Sequence, residues 1–451
     1  KLKLNKADLE WNPAQLFSRQ LNLDRLHFDG LEIHLPPPGE DKPPTTEPFV
    51  LPEIQLPIGA TIADLQGRNI RIIPANAPPI QIDAIDLKAH AAAEGLKVDH
   101  LAIKSPLGDL RLKGQVDPTG NYPLTLDLDW QTPFLSQYGT FSGQGKVRGT
   151  LRERLTVTHE ITGPATLEVD AEVRKPLTEA IWSAKTKLDV PDLKPFAPDL
   201  AGKPLTAHLD AQGVMSRFTG QGEIAATLPE LGKTTVRFTV AGDPQNIKID
   251  TLQVAAPERD LTLTAEGEAQ LTEGALPKFR SHAELKATVP ELGPTTLQLT
   301  AAGDAKTIKL DDVRLTAPAW ALNLLTQGEA QFADGAFSGL QAQGEMNATV
   351  PQFGPVALRF TADGDAKTVK LNELRLTAAQ HPLKLNVQGQ VELADLRFQA
   401  NGQWQSLAWP LKGIPQIQST KGDFTAEGTP KDYRFTATAT DLRGPNVPKG
   451  T

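Results

Sequence analysis

The sequence predicts an all-β chain, an elongated repetitive antiparallel sheet folded lengthwise into a groove and built from 61-residue repeats of about four strands. Three observations predict it. Apolar and polar residues alternate over short runs, the period of a half-buried strand. Gly and Pro, 36 and 37 of them in 451 residues, punctuate those runs at turn intervals. A 61-residue unit recurs three times without insertion, as expected of a structural unit that needs its neighbours to cover its apolar face.

Taken in order, residues 12–19 have the composition of a helical turn or two. They lead into an eight-residue motif: apolar, any, apolar, Asp or Asn, any, apolar, any, apolar. It first reads Leu21, Leu23, Asp24, Leu26, Phe28, and returns as Ile80, Ile82, Asp83, Ile85, Leu87 and as Leu96, Val98, Asp99, Leu101, Ile103. Residues 36–48, rich in Pro, Gly, charge and Thr with hardly an apolar side chain, read as a mobile loop between strands. Residues 1–221 are thus the N-terminal part of the groove, with degenerate repeats.

Residues 222–400 hold the three regular copies. Leu228-Pro229-Glu230-Leu231-Gly232 is echoed by Val289-Pro290-Glu291-Leu292-Gly293 and Val350-Pro351-Gln352-Phe353-Gly354, so the prolines stand 61 residues apart. Gly267, Gly328 and Gly389 keep the same interval. In the middle copy the alternation gives four strands, roughly 279–289, 295–303, 307–317 and 320–333. An even number lets every copy begin at the same margin. Residues 401–451 open the next segment, and the chain begins and ends in mid-pattern, as a piece of a longer one would.

The motif recurs inside each copy around Asp250, Asp311 and Asn372. In a flat strand its first and third apolar residues would face opposite to its sixth and eighth. A β-bulge at the Asp restores the register, setting two residues opposite one and bending the strand. Asp and Asn suit that place because they tolerate unusual backbone angles and bond nearby amides. The competing reading is a tight turn between two very short strands. Bulges repeated strand after strand predict a crease, with an apolar concave side and a polar convex one.

Composition narrows the function. A net charge of −8 argues against nucleic acid, which needs a basic face. Lack of cysteine suits an oxidising compartment. No run is apolar enough to span a membrane, and Lys1 does not open a signal peptide. The eight histidines are scattered and read as strand-face residues; no phosphate loop, nucleophile elbow or metal spacing is present. Enzymatic activity, a cofactor and a metal site are not expected.

What remains is the apolar face. Its flanks close as a sandwich core, a partner covers it, or an apolar ligand lies in it. The candidate lining residues are Val236, Phe238, Val240, Ile247, Ile249, Leu252 and Val254. Their equivalents are Leu297, Leu299, Ile308, Leu310, Val313 and Leu315 in the second copy, and Leu358, Phe360, Val369, Leu371, Leu374 and Leu376 in the third. Lys248, Lys309, Lys370, Arg237 and Arg359 are expected to face water. Two rival classes remain open at this stage. One is a scaffold or chaperone that holds an unfolded barrel protein; the other is a passive fibre of tandem closed sandwiches.

The repeated Leu-x-Leu-Asp strands carry a resemblance, together with Leu51-Pro52-Glu53-Ile54-Gln55-Leu56-Pro57, the stretch from Gly108 to Asp117, and Leu407-Ala408-Trp409-Pro410-Leu411 followed by Ser419 to Gly422. On these the chain resembles the TamB family, of the AsmA-like bridge-like lipid-transfer proteins of Gram-negative bacteria. The resemblance implies a periplasmic β-taco with a phospholipid-conducting groove. It further implies an inner-membrane anchor and a TamA-like outer-membrane barrel partner, both engaged through parts of the protein outside these residues.

Overall fold

The computed structural model describes residues 2–445 except 36–57, 75–77, 93–94, 134–137, 273–274, 305, 334–335, 351–353, 379–381 and 410–413. The loop expected at 36–48 therefore lies outside the described residues. Among those described, the chain forms 27 strands of one sheet and four short 3-10 helices. It divides into two compact units, Lys1–Glu230 and Leu231–Thr451.

The first unit opens with the strand Leu2–Trp11, exposed along its length. The helical turn expected at 12–19 is the 3-10 helix Pro13–Ser18. Asn12 Oδ1 accepts from the Ala14 amide at 3.1 Å, Pro13 starts the turn, and Arg19 ends it at φ 56°. The strand Gln20–His34 then pairs antiparallel with Leu2–Trp11.

The next pairing is the one parallel pair among the described pairings of an otherwise antiparallel sheet, as the sequence predicts for the rest. Gly59–Ile73 runs parallel to Gln20–His34, with Gln20 opposite Gly59 and Ile33 opposite Ile72. A parallel neighbour requires the chain to return the whole length of the strand, about 50 Å for fifteen residues. Residues 35–58 separate the two strands and are numerous enough to do so. From Gly59–Ile73 to Arg217–Leu228, each strand pairs antiparallel with the next.

In the second unit the antiparallel pairing runs in sequence from Gly232–Gly242 to Tyr433–Thr440. The first copy forms Gly232–Gly242, Asn246–Ala256, Leu261–Thr272 and Ala275–Val289. Gly293–Gly303, Thr307–Ala317, Leu322–Ala333 and Ala336–Val350 follow in the second; the strands expected at 279–289, 295–303, 307–317 and 320–333 are Ala275–Val289 and the first three of these, within a few residues of their expected ends. The later start of Leu322–Ala333 has a local cause. Residues 318–320 form a 3-10 turn after Ala317, closed by Ala321 at φ 46°.

The bulges sit where the motif puts them. Thr239 pairs with Thr251 and Val240 with Ile249, leaving Asp250 as the extra residue. Asp311 is passed over between Ala301–Leu310 and Thr300–Asp312, and Asn372 between Ala362–Leu371 and Thr361–Glu373. Asp24 and Asp99 do the same in the first unit. Asp83 does not: Arg68–Ala84 and Ile70–Ile82 keep one register across it. There Asn69, opposite Asp83, takes φ 54°, and the register of this pair slips further along, between Ile62 and Leu65.

The spaced glycines belong to this crease. Gly267, Gly328 and Gly389 face Ile249, Leu310 and Leu371, the last residues before each slip. A Cβ at these glycines would meet a carbonyl oxygen of the following strand at 2.9, 2.7 and 2.6 Å. Gly114, opposite Val98 before the bulge of Asp99, repeats the arrangement in the first unit.

Candidate functional site: the apolar face

The pairings show how the apolar residues of the second unit come together. Phe238 and Val240 are two residues apart on a regular strand and so share a face. Their partners Leu252 and Ile249, three apart, share it too because the bulge takes up the odd residue. Carried across the copies, this logic sorts all nineteen candidate residues into four rows that cross the strands.

The first row contains Val236, Val254, Leu297, Leu315, Leu358 and Leu376. In the second stand Phe238, Leu252, Leu299, Val313, Phe360 and Leu374. The third, along the crease, has Val240, Ile249, Leu310 and Leu371, and the fourth Ile247, Ile308 and Val369. The strands between supply residues that the motif does not mark. Leu263, Leu285, Leu324 and Met346 fill the first row, and Phe279 and Leu340 pair into the fourth. Their signal in the sequence was plain alternation, without the Asp that singled out their neighbours.

Eighteen of the nineteen are half-buried and Ile249 is 38% exposed. Among the described residues no large side chain is fully buried. A sheet closed on itself would bury leucines and phenylalanines from both flanks. These side chains instead cover one another laterally and leave their outer surface open.

The two lateral margins of this face differ. One step beyond the first row, Thr234, Ala256, Thr295, Ala317, Val356 and Ala378 are all at most 8% exposed, and Ala256 and Ala317 are at 0%. The 3-10 turns Pro257–Arg259 and Pro318–Trp320 close this margin. Glu258 Oε1 accepts from the Lys233 amide at 3.1 Å, tying the turn to the neighbouring strand. Further along, Ala348, Val356, Ala378, Leu383 and Trp404 cluster, with the Trp404 ring stacked on Phe424 and Phe424 on Phe435.

The opposite margin is open. Leu271, Leu393 and Leu396 are 40, 43 and 52% exposed there. Its tight turns are set by three aspartates. Asp304 Oδ1 accepts from the amides of Lys306 and Thr307 at 2.8 and 3.0 Å, and Asp365 Oδ1 from those of Lys367 and Thr368 at 2.8 and 2.9 Å. Asp243 takes the amides of Gln245 and Asn246 at 2.8 and 2.7 Å as well as the Asn246 side chain. These bonds hold the carboxyls of Asp304 and Asp365 below the usual carboxylate range, and the Asn246 side chain with the two amides does so for Asp243.

The other face is polar, with Lys248, Lys309, Lys370, Arg237 and Arg359 exposed as expected. Lys248 pairs with Asp250 at 2.7 Å, Lys309 with Glu329 at 3.7 Å and Arg359 with Glu345 at 3.4 Å. This face also carries hollows beside the bulges. One of ≈ 540 Å³ is lined by Asp312, Arg314, Gln327, Glu345, Arg359 and Glu373. Among the histidines, His27 on its strand face meets Asp64 at 2.8 Å and holds that carboxyl low, while His159 stacks on Trp130.

Chemically, then, the second unit offers one apolar face with one closed and one open margin. Among the described residues no helix is long and apolar enough to cross a membrane. No solved structure matches the chain. The family model described as TamB, N-terminal domain, matches it over residues 1–274 and again over 274–451. Since these matches span every strand of the repeats and the creased apolar face they build, the chain belongs to the TamB family, envelope components of Gram-negative bacteria that act in lipid transport or outer-membrane assembly.

Proposed function

We propose that this chain is a periplasmic stretch of a conduit along which phospholipids move between the inner and outer membranes, with their acyl chains on the apolar face. The observation that carries the reading is the set of four largely apolar rows that cross the strands of the repeats, with no large member fully buried. Each methylene taken from water gains about 0.8 kcal/mol, so an acyl chain is held far more strongly than it is held at any one strand. Movement along the rows is therefore passive, and its direction comes from elsewhere in the envelope. The three copies at 222–400 form the regular part of the track, flanked by 1–221 and 401–451. Attachment to the inner membrane and to a TamA-like barrel belongs to other parts of the full-length protein, and no residue here is assigned a catalytic role.

Photo-crosslinking in living Gram-negative cells tests this, with the probe at Leu310 on the apolar face and at Lys309 on the polar one. Phospholipid adducts at Leu310 alone are expected. Protein adducts at Leu310 would replace the conduit by a chaperone for unfolded barrel proteins, and silence at both positions would mean a closed structural core.

A further inference from the structure

The difference between the two margins bears on how a lipid sits. An amphiphile on this face has to direct its polar end over one margin, because apart from the hydroxyls of Ser281 and Thr326 the rows are built of apolar side chains and glycine. At the closed margin the 3-10 turns Pro257–Arg259 and Pro318–Trp320 lie against neighbouring strands, and the row beneath them is sealed. A headgroup there would have to displace packed backbone. The open margin ends in the turns at 243–246, 304–307 and 365–368, whose three aspartates each direct one carboxylate oxygen, Oδ1, to two backbone amides. The turn cations Lys306 and Lys367 are exposed and, among the described residues, have no carboxylate within ion-pair distance. They stand 61 residues apart, one in each of two successive copies, and Gln245 takes the place in the first.

Resting on the conduit reading, we propose that the lipid lies asymmetrically on the second unit. Its acyl chain occupies the third and fourth rows, around Ile308, Leu310, Val369 and Leu371. Its phosphate passes over the Asp-turn margin, where Lys306 and Lys367 meet it. The argument is one of charge complementarity on an accessible margin: a phosphate diester is anionic, and an ammonium group on a fixed turn attracts it as a point charge. The copy with Gln245 holds the headgroup less well, so the lysine copies are the places where a lipid dwells.

Two photoactivatable phosphatidylglycerols test the placement, one carrying the diazirine at the acyl terminus and one on the headgroup. Each is offered in vesicles to the purified chain, and the adducts are mapped by mass spectrometry. Tail adducts are expected in 307–310 and 368–371, and headgroup adducts in the turns at 304–307 and 365–368. Lys306→Gln combined with Lys367→Gln is expected to lower the headgroup adducts roughly two- to fivefold, the range of an exposed ion pair, with tail adducts kept. Headgroup adducts at 256–261 or 317–322, or spread evenly over both margins, would overturn this placement while leaving the conduit standing. Unchanged headgroup labelling in the double variant would overturn the role of the lysines, and failure of both probes to label any apolar row would overturn placement and conduit together.

Discussion

Leu310 and Gly328 face each other across neighbouring strands at the last pair before the register slips by one residue. The bulge brings the following strand so close that a Cβ on Gly328 would stand 2.7 Å from the Gln341 carbonyl oxygen. Gly328→Ala is therefore expected to loosen the Leu322–Ala333 and Ala336–Val350 strands by about 1–3 kcal/mol, the usual cost of overpacking. Gly339→Ala, whose Cβ would find its nearest neighbour at 3.4 Å in a side chain, is expected to be neutral or to stabilise by up to about 1 kcal/mol. Amide hydrogen exchange of those strands reads both effects locally, as suits a repeat chain that need not unfold as one.

The bulge makes a second prediction about chain length. Asp311 is the extra residue against the preceding strand, so deleting it alone keeps Leu310, Val313 and Leu315 on the apolar face and straightens the strand. Deleting Asp311 and Asp312 together turns Val313 and Leu315 to the polar side. The double deletion is expected to cost about 1.5–3 kcal/mol, since each aliphatic carries about 1.5–3 kcal/mol at full burial and both are half-buried. Limited proteolysis should find the single deletion intact and the double deletion cut within 293–333.

These two experiments also mark how far the sequence could be read. The bulges at Asp250, Asp311 and Asn372 were legible because the motif has one residue too many for a period of two, and no flat strand accommodates that. At Asp83 the same motif misled. The slip of this pair lies on the other strand, between Ile62 and Leu65, and nothing in a strand's own pattern reveals what its partner does. The parallel pair was hidden for a similar reason, because the direction in which Gly59–Ile73 joins Gln20–His34 is set by the return of the chain, not by either strand. Ala256 and Ala317 showed only that small residues recur; their burial comes from 3-10 turns that fold back over them.

Acid should act on the Asp-turn margin. Asp243, Asp304 and Asp365 have carboxyls held below their ordinary value by the bonds they accept in the fold. A group depressed in the folded state contributes its full stability above its unfolded pKa, about 3.9 for Asp, and loses it as pH falls through the lower folded value. The chain is expected to be indifferent to pH at these turns from neutrality down to about 4 and to fray there below it. Hydrogen exchange of the amides of Thr307 and Thr368, compared at several pH values, checks this. Asp304→Asn with Asp365→Asn should flatten the dependence at the two turns.

The buried polar contact near the end of the chain makes the fourth prediction. Trp404, 8% exposed, donates its indole N–H to Ser419 Oγ at 3.2 Å, and Ser419, 3% exposed, lies within hydrogen-bond distance of the Lys421 and Thr440 carbonyls. Ser419→Ala leaves the indole donor unpaired and is expected to cost about 1–3 kcal/mol. Ser419→Thr, which keeps the hydroxyl, isolates the hydrogen bond from the added methyl. Trp404 fluorescence during denaturation reports the local change.

Four strands per copy is an even number, and that parity has a consequence for how such proteins can evolve. Gly232, Gly293 and Gly354 all begin a strand, 61 residues apart and at the same side. Duplicating or losing one copy changes the span by four inter-strand spacings, about 19 Å, while every sealed row still meets a sealed row and every Asp turn an Asp turn. The number of strands is thus a quantity that gene duplication can adjust in fixed steps without redesigning a single interface.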